Sequence, residues 1–248
     1  MDFTPDLAEV CGIHAGDGYL RNDGRRREFD ISGGVEEKGY YDSHVKPLFE
    51  KVFNIQIKPR FFPHRNTYGF VVREKKVIEF MHGLGFPYGK KTLIVKIPRW
   101  ILESKNEEVH KRFLRGLFDT DGGLNFVRKT GSYGDFKKTH NYYPILTIGT
   151  CSNQLANDTQ RLLKRLKTKY RHYCYISKKE NENPRNRITM NGVEQMIRWI
   201  KQIGVKNHVK LSRYEVWKKL GFCPSNSTYE QRIKILKGEV EPNILKGP

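Results

Sequence analysis

The sequence predicts an α+β protein built from two pseudo-symmetric halves, each ordered α-β-β-α-β-β-α. Three observations carry this prediction. A segment recurs: residues 10–20 read Val-Cys-Gly-Ile-His-Ala-Gly-Asp-Gly-Tyr-Leu and residues 114–124 read Leu-Arg-Gly-Leu-Phe-Asp-Thr-Asp-Gly-Gly-Leu. Without gaps Gly12 meets Gly116, Asp17 meets Asp121, Gly18 meets Gly122 and Leu20 meets Leu124, at an offset of 121 − 17 = 104 residues in a chain of 248. Such self-similarity marks a copied structural unit. Both copies have a helix-like run upstream and a strand-like run downstream. A hydrophobic content of 37% with 12% aromatics is also enough to bury a core, which excludes wholesale disorder.

The elements follow in order. Asp6 to Gly16 reads as a helix. Tyr19–Arg21 and Glu28–Ser32 read as strands around the turn Asn22-Asp23-Gly24. Tyr41 to Phe53 reads as a helix in which Pro47 kinks the chain or delays the start. Ile55–Phe62 and Thr67–Arg73 form a second hairpin, and Lys75 to Leu84 closes the unit as a helix. Phe86 to Lys105, with Pro87, Gly89 and Pro98, reads as a linker. The second half repeats the order: helix Glu107 to Thr120, strands Leu124–Arg128 and Pro144–Thr150, and helix Gln154 to Leu166. Strands Tyr170–Ser177 and Arg187–Met190 and helix Val193 to Ile203 complete it. The halves are therefore assigned to 1–104 and 105–248, the second carrying a C-terminal extension after Gly204. In that extension Ser227-Thr228-Tyr229-Glu230 has capping-box spacing ahead of a short helix.

Charge narrows the function. Lys and Arg number 46 against 27 Asp and Glu, a net +19, with an isoelectric point near 9.8. This balance points to a polyanion, most often nucleic acid. The charge is uneven: residues 1–104 hold 17 basic and 14 acidic residues (+3), and residues 105–248 hold 29 and 13 (+16). The second half should supply more of the salt-dependent attraction. No apolar run approaches the ~18 residues that cross a bilayer, and the first residues resemble no secretion signal. A cytoplasmic protein without a membrane partner is expected. Cys11, Cys151, Cys174 and Cys223 are scattered, which disfavours a zinc site or disulfide framework.

The repeat itself carries chemistry. Gly12 and Gly16 share one helix face, as do Gly116 and Thr120. An interior glycine costs a helix roughly 1 kcal/mol relative to alanine, a cost usually accepted where another backbone approaches closely. Two such helices can pack through these faces. Gly18 and Gly122 read as left-handed helix caps. Asp17 and Asp121 fall in the last helical turns, facing the negative end of the helix dipole. If the helices pair, the two carboxylates converge and demand a cation. Oxygen donors select Mg²⁺ or Ca²⁺. On a basic protein this suggests phosphodiester hydrolysis. Singly, either aspartate reads first as an Asp-Gly turn residue, and the repeated pair reverses that preference. Asp119-Thr120-Asp121 opens like a calcium loop, but Leu124 stands where an EF-hand needs glycine.

Leu114-Arg115-Gly116-Leu117-Phe118-Asp119-Thr120-Asp121-Gly122, and more loosely Val10 to Gly18, resemble the paired motifs of a monomeric LAGLIDADG homing endonuclease. Gly89-Lys90-Lys91, Ile97-Pro98-Arg99-Trp100-Ile101 and Tyr214 to Phe222 also resemble that family, particularly archaeal-type members. The resemblance implies two αββαββα halves packed through their motif helices, with Gly12 and Gly116 at the interface, and saddle-shaped antiparallel DNA-binding sheets. It implies that Asp17 and Asp121, with the main-chain carbonyls of Gly16 and Thr120, bind divalent metal: Mg²⁺, with Mn²⁺ as a substitute and Ca²⁺ supporting binding without cleavage. It implies double-strand cleavage across the minor groove at a long asymmetric site, leaving 3′ overhangs. A basic residue near each metal is expected, and Lys90 or Lys91 and Lys206 are the candidates. His14 replaces an apolar residue of the family pattern; the helix interface, the DNA surface and a relaxed first half are all open to it, with a packed histidine favoured. Ser32 and Gly149 occupy slots where some members carry polar residues.

Basic residues crowd the hairpins: Arg21, Arg25, Arg26, Arg27, Lys58, Arg60, Arg65 and Arg73 in the first half, and Arg128, Lys129, Lys137, Lys138, Lys169, Arg171, Lys178, Lys179, Arg185 and Arg187 in the second. A curved sheet in the major groove reads guanine through Arg and holds phosphates through Lys. The expectation is thus an intron-encoded, monomeric, site-specific DNA endonuclease. The termini lack splicing-element residues, which favours an intron over an intein origin. Two alternatives use the same surface: a maturase that binds intron RNA, and a catalytically silent DNA-binding regulator.

Overall fold

The computed structural model describes residues 2–128, 141–176 and 182–242. Helix α1 (Pro5–Asp17) starts where Thr4 accepts a hydrogen bond from the Leu7 amide and Pro5 fills the first turn. Strands β1 (Gly18–Asn22) and β2 (Arg27–Gly34) follow. Next come the short helix α2 (Lys38–Tyr40), a π-helical turn (Tyr41–Val45) and α3 (Lys46–Phe53). Pro47 explains the turn. It offers no amide to the carbonyl four residues back, so the ladder widens before it. β3 (Arg60–Phe62), β4 (Thr67–Val72) and α4 (Lys75–Gly83) close the half. β3 is shorter than the expected Ile55–Phe62 because residues 55–59 leave the sheet and Glu50 binds the Ile57 amide instead (2.8 Å). The four strands are antiparallel in the order β1-β2-β4-β3.

The linker holds a short helix, α5 (Arg99–Glu103), and buries Phe86, Val95, Ile97 and Ile101. The second half repeats the first: α6 (Glu107–Asp121), β5 (Gly122–Val127), β6 (Tyr143–Thr150), α7 (Asn153–Arg165), β7 (Arg171–Tyr175), β8 (Arg185–Asn191) and α8 (Val193–Gln202). Its sheet has the matching order β5-β6-β8-β7. The register also repeats: Gly18 pairs with Ile31, and Gly122 with Ile148. The C-terminal extension contains two helices, α9 (His208–Leu220) and α10 (Tyr229–Lys237). The capping box lies one residue later than expected, between Thr228 and Gln231, while Ser227 donates to the Pro224 carbonyl.

The two halves meet along α1 and α6. A Cβ on Gly12 would lie 2.2 Å from the Phe113 carbonyl oxygen, and one on Gly116 would lie 2.4 Å from the Glu9 carbonyl oxygen. The backbones touch there, and any side chain would force them apart. α1 is buried on nearly every side from Leu7 to Ala15, as a helix sandwiched between two sheets and a partner must be. His14 is fully buried and neutral, edge-on to Phe86 (4.4 Å) and Phe29 (5.1 Å), with burial holding its pKa well below the usual range. Gly18 and Gly122 are not left-handed caps. Both are extended (φ −83° and −89°) and serve space, since a Cβ would strike the His14 ring or Phe118.

Charge closes the other end of the helix pair. The buried Glu9 carboxylate accepts from Arg115 (2.8 and 2.5 Å), Arg112 (2.5 Å) and His44 (2.7 Å), and Arg112 also reaches Asp6 (2.8 Å). Burial opposes this charge, but the His44 and Arg115 hydrogen bonds hold the carboxyl down at about 2. Gly12→Ala should destabilise the protein by about 1–3 kcal/mol through overpacking, reversing the gain of roughly 1 kcal/mol that helix propensity alone would give. Urea unfolding reads the sign directly.

Candidate functional site

Pairing of α1 and α6 brings their C-terminal ends together. Asp17 and Asp121 are the last residues of the two helices. A Cβ on Gly16 would lie 3.3 Å from the Asp121 carboxyl carbon. The carboxylates differ in setting. Asp17 is half-buried and accepts a hydrogen bond from Tyr41 Oη (2.7 Å). Glu37 stands beside it: a Cβ on Gly33 would fall within 2.6 Å of Glu37 Oε2, 2.8 Å of Tyr41 Oη and 2.9 Å of Asp17 Oδ2. Burial, with repulsion from Glu37 and Asp121, pushes the Asp17 carboxyl up to about 7 against the pull of Tyr41 and Lys210. Asp121 is open to solvent on one side, yet the protein around its other sides raises its pKa, opposed by Lys91 and Lys210.

Two lysines meet the helix ends. Lys91 Nζ donates to the Gly16 carbonyl (2.6 Å). Lys210 Nζ donates to the carbonyls of Phe118 (2.9 Å), Asp119 (2.6 Å) and Thr120 (2.6 Å). Burial lowers the pKa of both against the nearby carboxylates. Helix dipoles make these carbonyls electronegative. Lys90 is exposed and touches neither aspartate, so Lys91 is the residue of that pair at the site. The Lys206 side chain is exposed too; only its amide enters the site, donating to Asp119 Oδ2 (2.9 Å). Lys210 takes the place expected for Lys206. Spacing held the signal: Lys91 lies 91 − 83 = 8 residues past the end of α4, and Lys210 lies 210 − 202 = 8 past the end of α8. α9, which carries Lys210, is not among the elements the sequence predicts.

Asn207 caps α9 through Oδ1 (3.0 Å from the Val209 amide) and uses Nδ2 to join Glu37 Oε1 (2.6 Å) to the Asp119 carbonyl (2.8 Å). Buried Asp119 leaves Oδ1 without a partner, and burial raises its carboxyl to about 7. Glu37, Tyr41 and Asn207 lie in no repeated motif, so sequence reasoning missed them. The donors at the helix ends are all oxygen, and no group of three or more His, Cys, Asp or Glu fit for a metal occurs among the described residues. Crowded carboxylates with raised pKa values and neighbouring carbonyls fit a hard divalent cation and not zinc.

On the outer face of the first sheet, Arg21 pairs with Asp23 (2.6 Å), Arg65 with Asp30 (2.7 Å) and Arg73 with Glu28 (3.3 Å). Arg60 and Arg65 stand over Phe62 (4.9 and 4.5 Å). Arg25, Arg26 and Arg27 are exposed at the β1–β2 turn, as is Lys58 ahead of β3. On the second sheet, register and exposure set Arg171, Arg185 and Arg187 on one face with Tyr173 and Tyr175. Arg128 and Lys169 are exposed at strand ends. Lys129, Lys137, Lys138, Lys178 and Lys179 lie outside the described residues. A cleft of ≈ 740 Å³ joins Gly16, Lys91 and Asp121 to Arg185 and Arg187, and Thr147, Tyr175 and Asn186 also line it.

Residues 108–204 match the LAGLIDADG-like domain family. The chain is 33% identical over 124 residues to the replication factor C small subunit of Methanocaldococcus jannaschii, covering 50% of this chain and 6% of that protein. It is 27% identical over 169 residues to the replicative DNA helicase DnaB of Rhodothermus marinus, covering 64% and 17%. The match thus spans a small fraction of either relative. Among solved structures, the homing endonuclease I-DmoI in complex with DNA and Mn superposes with a TM-score of 0.51 at 16% identity, covering 81% of this chain and 96% of that one. The meganuclease I-SmaMI bound to uncleavable DNA gives 0.53 at 13% identity, covering 97% and 99%. No helix among the described residues is long and apolar enough to cross a membrane. Residues 108–204 thus match a LAGLIDADG-like domain, and the chain has the two-halved α+β fold seen in I-DmoI and I-SmaMI.

Proposed function

We propose that this protein is a site-specific, metal-dependent DNA endonuclease that cuts both strands of a long asymmetric duplex target. The observation that carries the reading is the convergence of Asp17 and Asp121, with Lys91 and Lys210, at the paired helix ends between two arginine-bearing sheet faces. Residues 1–104 would engage one half of the target and residues 105–248 the other. I-DmoI and I-SmaMI, which share the fold, have been crystallised with DNA.

Asp17, Asp121 and the carbonyls of Gly16 and Thr120 would hold Mg²⁺, which supplies Lewis-acid activation of water and charge stabilisation at the leaving oxygen. Lys91 and Lys210 donate to those carbonyls, so they compensate the carboxylates and would meet phosphate oxygens. Tyr41 orients the Asp17 carboxylate, and Asn207 fixes Glu37 beside it through Oε1. The second sheet sets Arg171, Arg185 and Arg187 on one exposed face, so it would supply much of the phosphate attraction, in keeping with the +16 of residues 105–248. Arg21, Arg65 and Arg73 are tethered to acids and are positioned to read bases more than to add free charge.

Cleavage of a randomised duplex pool with Mg²⁺, followed by sequencing of the new ends, tests the reading. One long asymmetric motif with 3′ overhangs is expected. Absence of cut ends together with tight binding to structured RNA would replace it with the maturase alternative. On the recovered site, Asp121→Asn should lower double-strand cleavage by at least ~10²-fold while Ca²⁺-supported DNA binding persists. Lys210→Met should cost about as much, and Lys206→Met little; equal losses in a side-by-side assay would contradict the placement of the lysines. Asp17 is raised from 3.8 to about 7, so its ionisation destabilises the metal-free fold as pH rises from about 4 to 7. Asp17→Asn should therefore raise the melting temperature in chelator at pH 8, and the gain should vanish near pH 4. It should also remove the stabilisation that Mg²⁺ gives the parent protein at pH 8.

A further inference from the structure

The linker turn that delivers Lys91 carries a feature that nucleolytic chemistry does not use. Thr92, Leu93 and Ile94 form the tip of the turn, closed by hydrogen bonds from the Ile94 and Val95 amides to the Lys91 carbonyl (3.0 and 2.8 Å). Leu93 is 50% and Ile94 60% exposed, although Val95 and Ile97 beside them are buried. Single exposed apolar residues are ordinary. An adjacent aliphatic pair at the tip of a rigid turn is not, and exposed apolar surface in such a place marks a contact.

The turn is held from both sides. In the first half, Gly89 N donates to the Leu20 carbonyl (2.8 Å) and Lys91 Nζ to the Gly16 carbonyl (2.6 Å). In the second half, Ser152 Oγ donates to the Val95 carbonyl (2.6 Å) and Asp158 accepts from the Ile97 amide (3.3 Å). The turn therefore bridges the two sheets beside Asp17 and Asp121, and Thr92 and Val95 line the same cleft as Asp121. Lys90, Lys91 and Lys96 bracket the aliphatic pair, so its surroundings suit a polyanion and disfavour an apolar protein partner.

We propose that Leu93 and Ile94 form an apolar wedge that enters the minor groove of bound duplex DNA and unstacks a base step there. The inference rests on the endonuclease reading. Two sheets on one side of a duplex that read successive major grooves leave the intervening minor groove facing the elements between them, the paired helix ends and this turn beside them. Leu and Ile are among the residues that proteins insert between base steps in the minor groove, kinking the duplex. Because the turn is already fixed at both shoulders, little ordering is needed to drive it in. Base steps that unstack readily, such as TA and CA, would then be preferred at the centre of the target without any hydrogen bond to their edges.

The test uses the full chain and a duplex recovered from a randomised pool by binding selection in Ca²⁺, with 2-aminopurine walked through its central positions. The parent protein should raise 2-aminopurine fluorescence at one central step. The double variant Leu93→Ser, Ile94→Ser should lose that rise and bind about tenfold more weakly, with the same dependence of affinity on salt and the same melting temperature. The conservative pair Leu93→Met, Ile94→Val should keep the rise. Unchanged fluorescence and affinity in the serine variant, or no rise with the parent protein, would overturn the wedge while leaving the endonuclease reading in place. Failure of the selection to recover any duplex would overturn both.

Discussion

Backbone-to-backbone contact between α1 and α6 is the constraint from which the rest of the molecule follows. Gly12 and Gly116 leave no room for a side chain at the crossing, and packing around such a contact tolerates little displacement. Because the contact fixes how the helices slide and cross, it also fixes where their last residues meet. Asp17 and Asp121 are neighbours for that reason, since among the described residues no strand of one half pairs with a strand of the other. The Glu9–Arg112–Arg115 cluster locks the opposite end. Breaking such a buried pair is costly because a lone charge would remain behind.

A cluster of carboxylates at the negative ends of two helices is electrostatically unfavourable by design. The protein meets this with Lys91 and Lys210, each reaching across from the segment that follows its half's closing helix. Those lysines neutralise helix carbonyls that a bound cation would otherwise neutralise. The site is therefore poised between two charge-balanced conditions, and it sits where the linker and C-terminal extension converge. The extension thus does more than terminate the chain: α9 supplies Lys210 and Asn207, and its neighbour α10 packs against it.

Much of this was legible in the sequence. The repeated glycines and acids located both helix ends, and alternation in the strands located the sheets, because both signals are local and periodic. What stayed hidden depends on contacts distant in sequence. Glu37, Tyr41 and Asn207 come from segments without periodicity, and their roles arise only when the helices pair. The shortening of β3 and the extended backbone of Gly18 and Gly122 reflect tertiary demands that override the local preferences used to read them. Lys210 was within reach through the equal spacing from each closing helix, had α9 been recognised.

The helix pairing is proposed to create one cation-binding centre at Asp17 and Asp121. Anomalous scattering from Mn²⁺ in crystals of the protein bound to its cleaved or uncleaved target tests it most directly. Peaks are expected within about 2.0–2.6 Å of the Asp17 and Asp121 carboxylates, a range bracketing hard-cation oxygen distances. Peaks confined to other carboxylates, with Asp17 still accepting from Tyr41 and the lysines still on the helix carbonyls, would contradict it.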